Sequence, residues 1–297
     1  MKGENKMQRI KENLNDGLIS LIKGLILTFI LVLTATITQS AHAEGLLAEI
    51  KKKGKLTVGT EAAFEPFEFV KDGEIVGYGK DILDIIVADL GVELIQHDLP
   101  FQGIIPGLLA GKFDFVATSV AINEERAKKV AYTLPIASIN NEIVVLAEND
   151  SINKPSDLNG KIFATQLASS IQPIAEKFNE ELKAKGESGF KELKLFQTFP
   201  ETSMALANRQ VDAISIATTM YISLSQKRPG MFKTVGTIGN KEWLCWLTRP
   251  EDLDVRDYLN SMIIKLRDNG KLYELQKKWF GTTMEIPDGG HLPPGAF

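Results

Sequence analysis

Cysteine is almost missing from this chain: Cys245 stands alone. One thiol excludes an internal disulfide framework and any cysteine-built zinc site. Histidine is nearly as scarce. His42, His97 and His291 are scattered without metal-ligand spacing, so no metal or other cofactor is expected. Charge of one sign is lacking too. The formal net charge is -4, and no Lys/Arg stripe with interleaved aromatics runs through the sequence, which argues against a nucleic-acid partner. No Ser/His/Asp or Cys/His constellation is visible, so nucleophilic catalysis has no obvious carrier. Low-complexity tracts and flexible linkers are absent as well.

What is present is an ordinary globular composition, 44% hydrophobic and 24% charged, with material for one large domain or two small ones. The N-terminus departs from it. Lys2, Lys6, Arg9 and Lys11 precede the apolar run "LILTFILVLTATIT", and "SAHA" follows, ending at Ala43. A charged segment, a short apolar segment and an A-x-A site predict a signal peptide over 1–43, cleaved near Ala43. The apolar run is short of the ~20 residues that a membrane span needs. Translation from Met1 or from Met7 gives the same signal. The mature chain is then expected in the periplasm.

From Glu44 onward, short apolar strands alternate with amphipathic helices, the pattern of an α/β protein. "KLTVGT" reads as a strand and "FEFVKDGEIVG" as a hairpin turning at Asp72-Gly73. "GKDILDIIVADLG" carries apolar residues at helical spacing and ends on a capping glycine, Gly91. After about residue 138 the alternation restarts with "EIVVLA", "KIFAT", a long helix from "SSIQPIAEKF", "KLFQTF", "PETSMALANRQ" and "VDAISIA". "EWLCWLTRP" opens a final portion with helices over Leu253–Arg267 and Leu272–Trp279. Two strand-helix runs of similar length predict two lobes with a cleft between them.

Six stretches in order carry a resemblance: "LTVGTEAAFEPFEF", "GEIVGYGKDIL", "FQGIIPGLLAGKFDFVATSVAINEERAKKVAYTLP", "DLNGKIFATQLASSIQ", "ALANRQVDA" and "LRDNGKLYELQKKWFG". Together they resemble the type 2 periplasmic solute-binding proteins of polar amino-acid ABC importers, across essentially the whole mature chain. The resemblance implies an α/β, two-lobed fold, each lobe a mixed sheet flanked by helices, joined by a two-crossing hinge. Lobe 1 is expected from 44–137 plus the return segment 240–297, and lobe 2 from 138–239. Ligand closes the lobes, and a membrane permease of an ABC importer recognises the closed form. A monomer is expected.

The resemblance also assigns residues. Arg126 matches the family's carboxylate-binding arginine, a role that suits a guanidinium with two parallel donors. Ser119 matches a hydroxyl of the same seat. Ala121 stands where a serine is usual and leaves a backbone donor only. Asn123 replaces the usual threonine and suits an N-cap. Phe64 and Phe101 match aromatic walls, and Glu61 a position that meets ligand side chains in some relatives. Ser169 and Ser170 match a hydroxyl pair from lobe 2, or simply cap the following helix. In amino-acid-binding members an acid after the "VDAISIA" strand pairs with the ligand's ammonium; the matching residue here is Ala217. Either Glu61 or Glu142 replaces it, or the ligand lacks an ammonium.

Three functions therefore compete. The leading one is a non-catalytic importer component that captures an amino acid or related small carboxylate. The second is a periplasmic dehydratase of prephenate- or arogenate-like acids on the same scaffold, with Glu61 or Glu142 as general acid. The third is a ligand-loaded sensor partner.

Overall fold

The computed structural model describes residues 45–296; the expected signal peptide lies outside the described residues. Chain punctuation falls where residue chemistry puts it. Helix α1 (Leu46–Lys53) ends at Gly54, φ 64°, and α2 (Tyr78–Leu90) at Gly91, φ 68°. Both are left-handed caps that glycine adopts at little cost. Strands β3 (Glu68–Lys71) and β4 (Glu74–Val76) turn at Asp72 and Gly73, both at positive φ, which is the backbone twist a two-residue hairpin needs. With β2 (Ala63–Phe64) they form a small three-stranded sheet.

The main sheet is built from one unit used twice. In the first, β1 (Lys55–Thr60), α2, β5 (Glu93–Asp98), α3 (Phe101–Leu109) and β6 (Phe115–Ala121) give the parallel order β5-β1-β6. In the second, β9 (Ile162–Gln166), α5 (Ile171–Ala184), β10 (Glu192–Phe196), α6 (Phe199–Ala207) and β11 (Ala213–Ala217) give β10-β9-β11, again parallel. The same side chains hold both. Asp114 accepts from the Thr57 N–H at 2.7 Å, and Asp212 from the Ile162 N–H at 2.7 Å. Thr60 donates to the Ala117 carbonyl at 3.0 Å, and Thr165 to that of Ser215 at 3.1 Å. Asp212 is thus a strand tie.

Two long antiparallel strands join the units: β8 (Ala137–Leu146) and β12 (Phe232–Thr248). The order β10-β9-β11-β8-β12-β6-β1-β5 makes one continuous path, with β7 (Ala131–Tyr132) also on β12. The two expected sheets are therefore fused through their crossings. The expected lobe boundaries fall at the start of β8 and in the middle of β12. Register shifts between Thr234 and Thr237, and between Ile238 and Glu242, break the β8–β12 ladder there. Such irregularities bend a strand pair.

Helices α8 (Leu253–Asp268) and α9 (Lys271–Phe280) return to the first unit, where Phe280 packs on Phe67 and Tyr78 at 5.0 and 4.8 Å between ring centroids. Cys245 is fully buried, and burial pushes its thiol well above the ordinary range, so it packs as a small apolar residue. Trp246 is fully buried against Phe115 at 5.7 Å. Two short helices complete the first and second units, α4 (Glu124–Ala127) after β6 and α7 (Thr218–Lys227) after β11. No helix among the described residues is long and apolar enough to cross a membrane.

Candidate functional site

In open α/β sheets the carboxyl ends of parallel strands are where ligands collect. Here the ends of β1 and β6 face those of β9 and β11 across a small cavity. Glu61 follows β1, Ser119 and Ala121 close β6, and Gln166 and Ala217 close β9 and β11. The eight residues matched to ligand contacts line it, namely Arg126, Ser119, Phe64, Ser169, Ser170, Glu61, Phe101 and Ala121, whereas Asn123 does not. Phe199 stacks on Phe64 at 5.8 Å and adds an aromatic wall from the second unit.

Arg126 is held from both sides. Asn123 caps α4, its side chain accepting from the Arg126 N–H at 2.8 Å. That short turn aims the guanidinium inward, where it is 9% exposed. Nη1 donates to the Ala121 carbonyl at 2.9 Å, and Nη2 crosses to the Ala168 carbonyl of the second unit at 2.6 Å. The ring of Phe101 lies 5.3 Å from the guanidinium carbon. Burial pulls the Arg126 pKa down, against the nearby Tyr132 and Glu242. No carboxylate pairs directly with it among the described residues. Ala168 carries its carbonyl there at φ 62°, a conformation that costs a non-glycine residue about 1–2 kcal/mol.

Three carboxyl groups line the cavity or bond to its lining, and Glu242 among them acts on Arg126. Glu61, 3% exposed, accepts from the Gln166 side-chain amide; burial pushes its pKa up to about 8, the Gln166 bond opposing and the Asp98 charge adding. Glu68 is fully buried and also raised to about 8 by burial, opposed by its bonds to Ser119 and supported by the Glu61 charge. It meets the Ser119 Oγ at 2.8 Å and the Ser119 N–H at 3.2 Å. A neutral Glu68 donates to the serine oxygen and leaves the serine proton free to point at a ligand; an ionised one claims that proton. Glu242, on β12, accepts from Asn141 at 2.7 Å and Ser170 at 3.0 Å, and burial raises its pKa.

Several details differ from expectation. Neither lobe-2 serine caps α5: Ser169 donates to the Gln166 carbonyl at 2.8 Å, and Ser170 to Glu242. Glu142 is not part of the cavity wall and accepts from Thr218 at 2.8 Å. Glu68, Gln166 and Glu242 were not singled out from the sequence. Gln166 was findable, since Thr60-Glu61 and Thr165-Gln166 occupy the same place in the repeated unit. A second, larger cavity is lined by Ala63, Met204, Ile216, Met220 and Leu224 together with Glu65, Lys227 and Arg228. There Lys227 pairs with Glu65, and both basic residues are exposed, unlike the buried Arg126.

The two halves touch across the site. Besides the Arg126–Ala168 bond, Gln102 donates to Gln197 at 2.8 Å, and Ser223 and Lys227 both meet Glu65.

Residues 56–282 match the model of the bacterial extracellular solute-binding proteins, family 3. The chain belongs to that family. A probable histidine-binding protein of Campylobacter jejuni is 30% identical over 159 residues, 54% of this chain and 58% of that one. Among solved structures, a mutant of ArgBP from T. maritima superposes with a TM-score of 0.71 at 32% identity, over 80% of this chain and 99% of that one. The ancestral amino acid-binding protein AncCDT-1, a precursor of cyclohexadienyl dehydratase, gives 0.71 at 27% identity, over 79% and 99%. These neighbours establish the two-lobed type 2 binding-protein fold, and the family is one of solute binding in amino-acid ABC transport.

Proposed function

We propose that this chain is the periplasmic solute-binding component of an ABC importer, exported by a signal peptide cleaved near Ala43. Its lobes, 44–137 with 240–297 and 138–239, close as a monomer over an amino acid or related small carboxylate and deliver it to a membrane permease. The observation that carries this reading is Arg126: a buried guanidinium in a cavity between the two units, donating to two carbonyls and in direct contact with no carboxylate among the described residues. A ligand carboxylate supplies the anion it lacks, through two parallel charge-assisted bonds.

The other residues take roles around it. Ser119, its proton freed when Glu68 is neutral, donates to the carboxylate, as do the Ser169 and Ser170 hydroxyls once they turn from their present acceptors. Ala121 contributes backbone alone. Phe64 and Phe199 hold the ligand's body, Phe101 backs the guanidinium, and Glu61 with Gln166 meets the distal end. Closure excludes water and strengthens each bond.

A thermal-shift screen of residues 44–297, refolded to remove carried ligand, tests this. The panel pairs each amino acid with its deaminated acid. A ligand at 100 times its Kd stabilises by about 2.7 kcal/mol. A panel without a single shift overturns the reading.

One observation favours a second reading. Glu61, raised to about 8 by burial, is a protonated carboxyl in the cavity at neutral pH, which is what a dehydratase's general acid requires. Incubation with prephenate and arogenate decides it: absence of product from both removes the enzyme reading.

A further inference from the structure

The acid that amino-acid-binding members carry at the end of the "VDAISIA" strand is Ala217 in this chain. The strand register shows which groups stand around that place instead. Ala217 on β11 is the partner of Asn141 on β8. Ile139, two residues earlier and on the same face, is the partner of Glu242 on β12. Ile139, Asn141, Ala217, Glu242 and Leu244 therefore share one face of the sheet; Ile139, Ala217 and Leu244 line the cavity, while Asn141 and Glu242 stand next to that lining, Asn141 as the register partner of Ala217 and Glu242 through the Ser170 hydroxyl.

On this face Asn141 Nδ2 donates to Glu242 Oε2 at 2.7 Å, and the Ser170 hydroxyl donates to the same oxygen at 3.0 Å. The carboxylate fixes which way the amide points, because the flipped amide would set oxygen against oxygen. The Asn141 carbonyl oxygen is consequently turned away from Glu242. It has no hydrogen-bond partner, although the side chain is only 1% exposed. A buried acceptor left unpaired is costly. The corner thus holds an unpaired amide oxygen near a carboxylate, with the Asn141 Nδ2 and Ser170 Oγ donors already committed to that carboxylate. The group that satisfies both is a compact cation with several donors and no acceptor, an ammonium.

We propose that Asn141 and Glu242 form the seat for the ligand's α-ammonium, replacing from the hinge strands the acid that Ala217 does not supply. The proposal rests on the solute-binding reading above and narrows it to α-amino acids. Ser170 links the two seats, since it lines the cavity and holds Glu242.

The test is a ratio of affinities, measured by calorimetry on refolded protein with three probe pairs: L-arginine and guanidinovalerate, L-histidine and imidazolepropionate, L-glutamine and glutaramate. The wild-type protein prefers the amino member of the pair it binds by about 30-fold or more, the cost of leaving one buried charge unpaired. Glu242→Gln and, separately, Asn141→Ala reduce that ratio while affinity for the deaminated member holds. Adding Ala217→Asp to Glu242→Gln restores it by returning an acid to the family's position. Mere structural damage lowers both affinities together and leaves the ratio alone. Equal binding of both members by the wild type, or an unchanged ratio in both variants, overturns the ammonium seat while the carboxylate reading stands. If no member of these pairs binds, the ratio is measured on the pair that the thermal-shift panel selects, and a panel without a single shift overturns the solute reading and the seat with it.

Discussion

Replacing Arg126 with alanine separates binding from stability. In the ligand-free protein the guanidinium donates to two carbonyls, at 2.9 and 2.6 Å, and has no ion pair. Losing bonds made by a charged donor costs about 1.5–3 kcal/mol each. Removing a buried charge that lacks a direct counter-ion returns several kcal/mol of desolvation. The two oppose, so the unfolding free energy of ligand-free Arg126→Ala is expected within about 2 kcal/mol of wild type. Binding has no such compensation. A carboxylate closed into the cavity loses its cation, at about 2–5 kcal/mol, or roughly 30-fold to several-thousand-fold in Kd. Calorimetry on refolded protein gives the affinity and urea unfolding gives the stability. A Kd within about threefold of wild type refutes the reasoning, and so do affinity and stability falling by the same free energy.

Three further outcomes follow from particular contacts. Glu61 and Glu68 are both raised from 4.5 to about 8, so between those pH values the folded state binds more protons than the unfolded state. Stability of the ligand-free protein therefore falls as pH rises from about 4.5 to 8, by up to about 1.4 kcal/mol per pH unit per group; Glu68→Gln flattens the slope of urea midpoints measured across that range, and a rising slope contradicts the burial account. Gly59→Ala would place a Cβ 2.5 Å from the Phe113 ring, so thermal unfolding should show a loss of about 1–3 kcal/mol, and an unchanged midpoint is the contrary result. Glu65→Ala removes the bonds to Ser223 and Lys227 that tie the halves; a partly exposed pair is worth up to about 1 kcal/mol, so ligand release should quicken by at most about fivefold, with no change if the tie is idle.

Much of the fold was legible in local chemistry. The Asp72-Gly73 turn, the Gly91 cap and the Asn123 cap each depend on a few neighbouring atoms, and each stands where the residue type placed it. The convergence of eight residues from three of the quoted stretches came from the ordered resemblance, since spacing alone does not bring Glu61, Arg126 and Ser169 together. The crossings were harder to read. "TVGTIGNKE" is interrupted by Gly236 and Gly239 and lacks alternation, so nothing in it marks a strand, yet β12 runs through it because β8 pairs with it. Glu242 was hidden for the same reason: an acid beside a glycine-broken stretch looks solvated until the register sets it against Asn141. Glu68 left a fainter signal, a carboxylate at an inward position of the hairpin, and only the tertiary fold supplies the Ser119 that accounts for it.

The most direct measurement is to weigh what the protein carries. Native mass spectrometry of the unrefolded mature chain, followed by denaturation and identification of the released molecule, requires no guess at the ligand. The account predicts one small carboxylate per chain on the wild type and none on Arg126→Ala. A released ligand without a carboxylate, or the same carboxylate retained equally by Arg126→Ala, would contradict it.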